Sequence, residues 1–449
     1  MATASNICLT GNEKLSFAIT PLRLDSANKA SELLNVNHVK WDTYLNDQGH
    51  HNHLVHHILT LYALGATPDE IQAAYDEDVN HQRIAFPPYQ KIIDEIHTPA
   101  GFNKYLGDYT QYTNYLVYFT AEVEAKGVPR VLDEYLFAGD ERANDMLSRL
   151  FVGFGHALIH LGYAIEFRQP ALVAEALAQT AVHEPWGKDF FEAAERAGEA
   201  HKKAASGTDP SMLQLLEETR EQILQQPEAA DYGYRDNCIK YGIVHLGSER
   251  LLPVLAKWVV RSEDDLAQKT AENIDASVFY NVAAQHPPHI PKIDFFYLHS
   301  TTVSVHFIDF LTNPWLSPAA RVRLLEWKGR WDLANYASRG AAQLLRDEVA
   351  AYPADRGGWD SVIARANRYI HEEDSGHTAK MIRAVVAGWR FLEGRERKGF
   401  ALESEEMWLK AASLGMDSVE AGSPVWVRGA GFEEGWADIP LREGKKANL

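Results

Sequence analysis

The sequence predicts an all-α protein, a large multi-helix bundle that encloses a histidine-rich metal site. Helix-start signals recur, because a capping residue precedes proline at Thr67-Pro68, Asp209-Pro210 and Ser317-Pro318. Long amphipathic runs follow these signals, whereas runs of alternating β-branched residues are scarce. Hydrophobic periodicity predicts individual helices, including those over residues 53–64, 142–166 and 266–284.

The chain of 449 residues is longer than one ordinary domain. We nevertheless predict a single integrated helical body over residues 1–449, because both halves carry histidine-bearing segments. The charged, alanine-rich stretch 188–210 is interpreted as a surface linker within this body. The glycine-containing stretch 423–449 is interpreted as an irregular carboxy-terminal tail.

Charge and cysteine content exclude several classes of protein. The formal net charge of -18 argues against a nucleic-acid partner, which would require a clustered basic face. The two cysteines, Cys8 and Cys238, are too few for a disulfide framework and indicate a reducing compartment. Neither a secretory signal nor an apolar run long enough to span a membrane is visible. We therefore expect a cytoplasmic protein without a membrane partner, and its oligomeric state stays open.

Histidine is the most informative residue type, with 19 copies and a concentration at residues 49–57. His53 and His57 are four residues apart, as are His156 and His160. On a helix such pairs lie on one face, with Cβ atoms roughly 5 to 6 Å apart. Because imidazole is the commonest protein ligand of transition metals, the first hypothesis is a metal centre.

Two further segments offer imidazoles. His299 and His306 are two helical turns apart, roughly 10 Å along the axis, so they are not expected to bind one ion together. We favour His299, which follows an apolar aromatic run. In the last segment His377 and Lys380 share the apolar stripe of a predicted helix.

Lys380 is unusual because a charged amine on an apolar face is costly to bury unless it is paired or neutralised. One interpretation pairs it with Asp374 or Glu373. The other places it beside the metal, either as a nearby cation or, after its amine takes up carbon dioxide, as a carbamate ligand. A site of several histidines and one anionic oxygen suits iron(II) better than magnesium or calcium.

Common catalytic motifs are missing from the sequence. There is no His-Glu-x-x-His zinc signature, no phosphate-binding loop, no Gly-x-Gly-x-x-Gly dinucleotide fingerprint and no Gly-x-Ser-x-Gly hydrolase motif. A flavin or nicotinamide bound in a conventional nucleotide fold is therefore not expected.

Taken together, the histidine motifs resemble the questin oxidase-like family of fungal and bacterial proteins over about residues 35 to 395. The motifs that carry the resemblance are Asn52-His53-x-x-His56-His57, Leu61-x-x-Leu64-Gly65-Ala66, His156-x-x-Ile159-His160-Leu161-Gly162-Tyr163, Leu298-His299 and Asp374-x-Gly376-His377-x-x-Lys380. The resemblance implies an enzyme of aromatic polyketide metabolism that opens the central ring of an anthraquinone. Members are described as Baeyer-Villiger oxidases or as ring-cleaving oxygenases.

The resemblance and the residue pattern lead to one hypothesis for the site. Non-heme iron(II) is bound by one histidine from each segment and by carbamylated Lys380, and an open position takes oxygen. His53 and His156 orient the ligands, hold the substrate phenolate or act as a base. The substrate is a planar polycyclic aromatic in an apolar pocket. The predicted ligands are His57, His160, His299, His377 and Lys380.

Three alternatives remain open from the sequence. The first is a metal-free Baeyer-Villiger oxidase that takes electrons from NADPH and uses histidine as acid and base. The second is a zinc-dependent hydrolase. The third is a helical scaffold without catalytic activity, in which the imidazoles are ordinary core and surface residues.

Overall fold

A computed structural model describes residues 1–204, 209–397 and 399–442. Over these ranges the protein is helical, which confirms the predicted all-α class. The only strands within them are β1 (Ile293–Asp294) and β2 (Trp426–Val427), which pair in parallel. No described helix combines the length and the apolar character that spanning a bilayer requires.

The chain forms two compact units, each built from three separate stretches. Unit 1 consists of Met1–Lys188, His306–Ala320 and Asn367–Lys380. Unit 2 consists of Asp189–Val305, Arg321–Ala366 and Met381–Leu449, apart from the residues outside the described ranges. The single integrated body expected from the sequence stays a prediction.

The first long stretch of unit 1 contains ten α-helices among its described residues. In chain order they are α1 (Leu24–Lys40), α2 (Leu54–Ala63), α3 (Pro68–Val79), α4 (Gln90–Ile96), α5 (Pro99–Lys104), α6 (Tyr112–Lys126), α7 (Val128–Leu132), α8 (Glu141–Leu150), α9 (His156–Glu166) and α10 (Pro170–Val182).

The helices that follow belong to unit 2, except that α16 lies in unit 1 and α11, α17, α19 and α20 run across a boundary between stretches. They are α11 (Lys188–Ala204), α12 (Met212–Gln225), α13 (Ser248–Leu255), α14 (Leu266–Ala283), α15 (Tyr297–Ser304), α16 (His306–Phe310), α17 (Pro318–Ser338), α18 (Arg346–Ala350), α19 (Gly358–Arg368), α20 (His377–Leu392) and α21 (Glu405–Glu420).

Two of the three predicted helix starts are confirmed. Thr67 caps α3 through a capping box with Glu70, and Pro68 is its first residue. Helix α17 begins at Pro318. The third start lies later than predicted, because Ser211, rather than Asp209, is the capping residue of α12, and its side chain accepts the backbone N–H of Gln214.

The helix predicted over residues 142–166 is interrupted, and this interruption shapes the site. Gly153, Phe154 and Gly155 follow α8 with φ values of 59°, 54° and 73°. Three successive left-handed residues cannot continue a right-handed helix. A new helix, α9, therefore begins at His156.

Helices α2 and α9 are buried along their whole length, and in α10 only the first residue, Pro170, is not buried. Helix α9 packs against both of the others within unit 1. Polar side chains on such helices face no water and must find partners inside the protein. The histidines of α2 and α9 therefore depend on one another, on nearby main chain, or on a bound group.

The predicted linker and tail are more ordered than expected where they are described. Helix α11 occupies most of the predicted linker, and residues 205–208 lie outside the described residues. The predicted irregular tail contains β2 and a short helical turn at Glu433–Trp436. Residues 443–449 of that tail also lie outside the described residues.

Candidate metal centre

Three buried histidines of unit 1 converge on one point. His53 immediately precedes α2, His156 is the first residue of α9, and His377 is the first residue of α20. One ring nitrogen from each lies within 4.8 Å of the others. Three imidazoles gathered from separate stretches of chain are a ligand set that zinc, iron and copper accept.

In the neutral ring of His156 the proton lies on Nδ1, so Nε2 is unprotonated. Its Nδ1 donates a hydrogen bond to the carbonyl oxygen of Gly153 at 2.5 Å. A carbonyl oxygen can only accept, so in the neutral ring the proton lies on Nδ1 and Nε2 keeps a lone pair. The left-handed turn before α9 thus brings that carbonyl within reach and orients the ring.

His377 is oriented in the same way at the start of α20. Its Nδ1 donates to the carbonyl oxygen of Asp374. The carboxylate of Asp374 accepts the backbone N–H of Thr378 at 3.0 Å and its hydroxyl, which fixes the turn. The Nε2 atom of His377 therefore also carries a lone pair when the ring is neutral.

His53 completes the trio as a neutral ring. Its Nε2 lies 2.8 Å from Nε2 of His156, and because the latter is unprotonated, His53 donates. Burial, the charge of Lys380 and the neighbouring imidazoles hold the pKa of His53 well below its usual value. Neutral imidazole is the form that binds a metal, so the site favours the competent state.

His56 is a buried ring close to the trio, with its centroid 6.3 Å from that of His53. Neither of its nitrogens has a hydrogen-bond partner among the residues that the structure describes, and the side chain is fully buried. Its ring stacks on Tyr163 with centroids 5.5 Å apart. Burial, followed by the charges of His160 and Lys380, holds its pKa well below the usual value. Because leaving such a group unsatisfied costs about 1–3 kcal/mol, a polar ligand group is expected here.

Lys380 is buried one turn after His377, and its Nζ has no hydrogen-bond partner within the described ranges. Burial lowers the pKa of Lys380 to about 7, against the opposing charges of Asp374 and Asp78. Its charge also affects the pKa values of His53 and His56, so the amine lies in their neighbourhood. Near neutral pH a substantial share of this amine is uncharged.

The other predicted ligands have different surroundings. His57 Nδ1 donates to the Asp78 carboxylate at 2.8 Å. His160 Nε2 lies 3.0 Å from a carboxylate oxygen of Glu175. His299 belongs to unit 2, where its Nδ1 donates to the carbonyl oxygen of Phe295 at 2.7 Å. The structure therefore gathers His377 with His53 and His156, which the sequence analysis had placed beside the metal.

Sequence reasoning missed a second pair of buried histidines next to the trio. His51 stacks on His156 with ring centroids 4.1 Å apart and planes within 3°. His51 Nε2 lies 2.8 Å from His183 Nε2, and His183 Nδ1 donates to the carbonyl oxygen of Arg149. Burial lowers the pKa of His183 to about 4, so this ring is neutral as well.

Glu175 was also missed, although the sequence held a signal for it. It is the single charged residue of the alanine-rich α10. Its Oε1 accepts a hydrogen bond of 2.6 Å from His38, and its Oε2 contacts His160. Burial by itself would raise the pKa of Glu175, but the hydrogen bonds and charges of His160 and His38 lower it to about 2.

Replacing Glu175 with glutamine is expected to destabilise the protein most between about pH 4.5 and 6.5. The stabilisation from Glu175 is complete above its unfolded pKa of 4.5 and is lost as pH falls towards 2. The hydrogen bond and charge of Glu175 also raise the pKa of His38 despite burial. The stabilisation that protonated His38 contributes is therefore complete below pH 6.5 and is lost as the pH rises through the raised pKa of His38. Urea unfolding near pH 5.5 should show a loss of about 3–5 kcal/mol. The loss should shrink at pH 9 and at pH 3, and a loss of equal size at all three would contradict this account.

Comparison with known proteins adds an independent finding. The sequence profile of the questin oxidase-like family matches residues 50–385, a range that contains the histidine trio and Lys380. The oxidoreductase AflY of Aspergillus parasiticus is 39% identical over 95% of this chain and 86% of its own length. The questin oxidase of Aspergillus fumigatus is 35% identical over 98% of this chain and 100% of its own length. The Baeyer-Villiger monooxygenase dmxR6 of a Cryptosporiopsis species is 35% identical over 96% and 98%, respectively.

Proposed function

Because the chain belongs to the questin oxidase-like family of oxidoreductases, we propose that it uses molecular oxygen to open a ring of a hydroxylated anthraquinone or a related aromatic polyketide. The relatives named as oxidases support the reaction type. The observation that carries the proposal is the convergence of three buried imidazoles at His53, His156 and His377.

The donor set fits a divalent transition metal, and we propose iron(II). His156 and His377 both carry the proton on Nδ1, held by main-chain carbonyls, so both can offer Nε2. His53 would bind through Nε2 after its proton moves to Nδ1, which has no hydrogen-bond partner among the described residues, so the ring stays neutral. When bound, iron(II) supplies a way past the spin barrier between oxygen and an organic substrate.

The neighbouring groups have complementary tasks in this proposal. Neutral His56 has one donor and one acceptor nitrogen, and a substrate hydroxyl would pair with one of them in a buried ring that has no hydrogen-bond partner within the described residues. Lys380, with its lowered pKa, supplies the neutral amine that combines with carbon dioxide, and the resulting carbamate provides an anionic oxygen beside the trio. This negative charge would balance part of the charge of the cation.

A metal-free Baeyer-Villiger oxidase that takes electrons from NADPH is the second candidate. The names of several relatives, including the Baeyer-Villiger oxidase AgnL3 of Paecilomyces divaricatus, favour it. In this version the same imidazoles bind the substrate and transfer protons. The hydrolase and scaffold alternatives are dropped, because the relatives are named as oxidoreductases.

Isotope labelling and metal analysis together test the proposal. Protein purified without added metal is assayed with a hydroxylated anthraquinone under ¹⁸O₂, after chelation and after iron(II) is returned. We expect label in the ring-opened product, loss of turnover on chelation and recovery with iron(II) alone. Turnover that survives chelation and requires NADPH would support the second candidate. Label from water only would overturn both.

The proposed carbamate has its own readout in the same protein. Protein equilibrated with ¹³C-bicarbonate should give a carbamate ¹³C signal that Lys380→Met lacks. Lys410, a partly buried lysine of α21 that pairs with Glu406, offers the matched control substitution Lys410→Met. A signal that is equal in all three proteins would remove Lys380 from the ligand set.

A further inference from the structure

One buried carboxylate of unit 1 joins two histidines from different helices. Glu175 on α10 accepts a hydrogen bond of 2.6 Å from Nδ1 of His38, in the last turn of α1. Its other oxygen lies 3.0 Å from Nε2 of His160 on α9. Because a carboxylate has two acceptor oxygens, it contacts both rings at once. The three side chains form a continuous chain of polar contacts.

The two ends of this chain have different neighbours, although their side chains are similarly little exposed, at 8% for His160 and 9% for His38. His160 lies on α9, every residue of which is buried, and its ring centroid is 5.2 Å from that of His56. His38 lies in the last turn of α1, where the next residue, Val39, is 81% exposed. The contacts therefore run from the histidine cluster to the surface of unit 1.

The proposed ring-opening reaction, on which this inference rests, needs a route for protons between the buried histidines and solvent. A phenolic hydroxyl must lose its proton before its ring becomes electron-rich enough to react with oxygen. In the NADPH version each turnover also takes up one proton, because oxygen, NADPH and a proton give the inserted oxygen atom, NADP⁺ and water. In either case a proton passes between a buried cluster and solvent.

We propose that His38, Glu175 and His160 form a proton relay between the substrate side of His56 and solvent. In the outward direction the ring of protonated His38 turns to water and its Nδ1–H bond breaks, so the ring returns neutral with its proton on Nε2. The Nε2–H bond of protonated His160 then breaks as an O–H bond forms on Glu175, and after half a turn of the carboxyl group that O–H bond breaks as an N–H bond forms again on Nδ1 of His38. One proton therefore enters from His160, one leaves to water, and no electron is transferred.

The surroundings of Glu175 favour proton transfer between His160 and His38. Glu175, with a pKa lowered to about 2, is ionised at neutral pH, and its hydrogen bond and charge raise the pKa of His38 despite burial. Tyr112 is the further titratable group affected by the charge of Glu175, and burial with that charge keeps its pKa well above the usual value. Tyr112 thus stays protonated. The remaining gap from His160 to His56 is one that a substrate hydroxyl or a water molecule bridges.

Hydrogen exchange of a buried imidazole tests the relay without any need for activity. In ¹⁵N-histidine-labelled protein, the His160 ring proton should exchange with D₂O at a rate that His38→Ala lowers by about tenfold or more. The matched internal control is the Nδ1 proton of His183, which is buried against the carbonyl of Arg149 and lies outside the chain of contacts. Its exchange should not change. Equal exchange of His160 in the wild-type and variant proteins would overturn the relay.

Measurement of turnover is the second test of the relay. His38→Ala should lower turnover about tenfold in a dilute buffer, and added imidazole should restore it, because a small base can take the place of a relay group near the surface. His81→Ala, at an exposed histidine of the same unit, is the control. A loss that imidazole does not restore would mark His38 as structural; His38→Gln replaces the alanine variant if that variant unfolds. If the wild-type protein opens no ring, the proposed function fails, and the exchange arm still decides the relay.

Discussion

His377→Ala is expected to lose bound metal and turnover together. The substitution removes one of three converging imidazoles, whereas loss of a group that only orients a ligand already costs about 10–100-fold in affinity or activity. We therefore expect metal affinity to fall by more than about 100-fold and turnover to fall in parallel. Metal content by elemental analysis and steady-state turnover, measured on one preparation, check this expectation.

The control for this experiment is a histidine outside the trio. His81→Ala changes an exposed ring of unit 1 and should retain both metal and turnover. Circular dichroism verifies that the His377 variant is folded. A folded His377→Ala protein with wild-type metal content and turnover would show that the convergence of the three rings has no role in binding.

Gly376→Ala is expected to destabilise unit 1 severely through the turn that precedes His377. Gly376 has a φ of +73°, a conformation that costs other residues about 1–2 kcal/mol. An added Cβ would also lie 2.3 Å from Cγ of His57, whose ring is held by Asp78. Overpacking of this kind typically costs about 1–3 kcal/mol more. The total loss of about 2–5 kcal/mol is measured by urea unfolding of the metal-free protein.

Gly139→Ala separates the two contributions. Gly139 has a similar φ of +77°, but an added Cβ there would meet no atom within 4 Å. This variant should lose only the conformational part, about 1–2 kcal/mol, and should bind metal normally. If the two glycine variants are equally stable, the ring of His57 moves aside freely, and the turn does not fix the position of His377.

Hydrophobic periodicity alone located two helices to within one residue at each end. The helix predicted over 266–284 is observed as Leu266–Ala283, and that over 53–64 as Leu54–Ala63. The helix over 142–166 was wrong in one respect, because the chain reverses hand at Phe154. The two flanking glycines were a visible signal, but a positive φ at phenylalanine is favoured only by the surrounding tertiary packing.

For the candidate site, the sequence pointed to three segments that the structure brings together, those of His53, His156 and His377, but not to the member of each i, i+4 pair that joins the cluster. His53 and His57 both lie at the start of α2, and His57 is turned towards Asp78 of α3. His156 and His160 both lie on α9, and His160 is turned towards Glu175 of α10. Which histidine of a pair joins the trio depends on carboxylates and carbonyl groups that other parts of the fold contribute. The spacing of residues along one helix does not reveal these groups.

The alternation of the chain between its two compact units limits how this protein can be dissected or recombined. Each unit draws on three separate stretches, and the last exchange occurs inside α20, between Lys380 and Met381. No single cut in the gene can therefore yield one unit intact, and a crossover between homologous genes would mix parts of both. Because the chain passes between the units several times, the gene segment that encodes this fold can be transferred intact only as a whole.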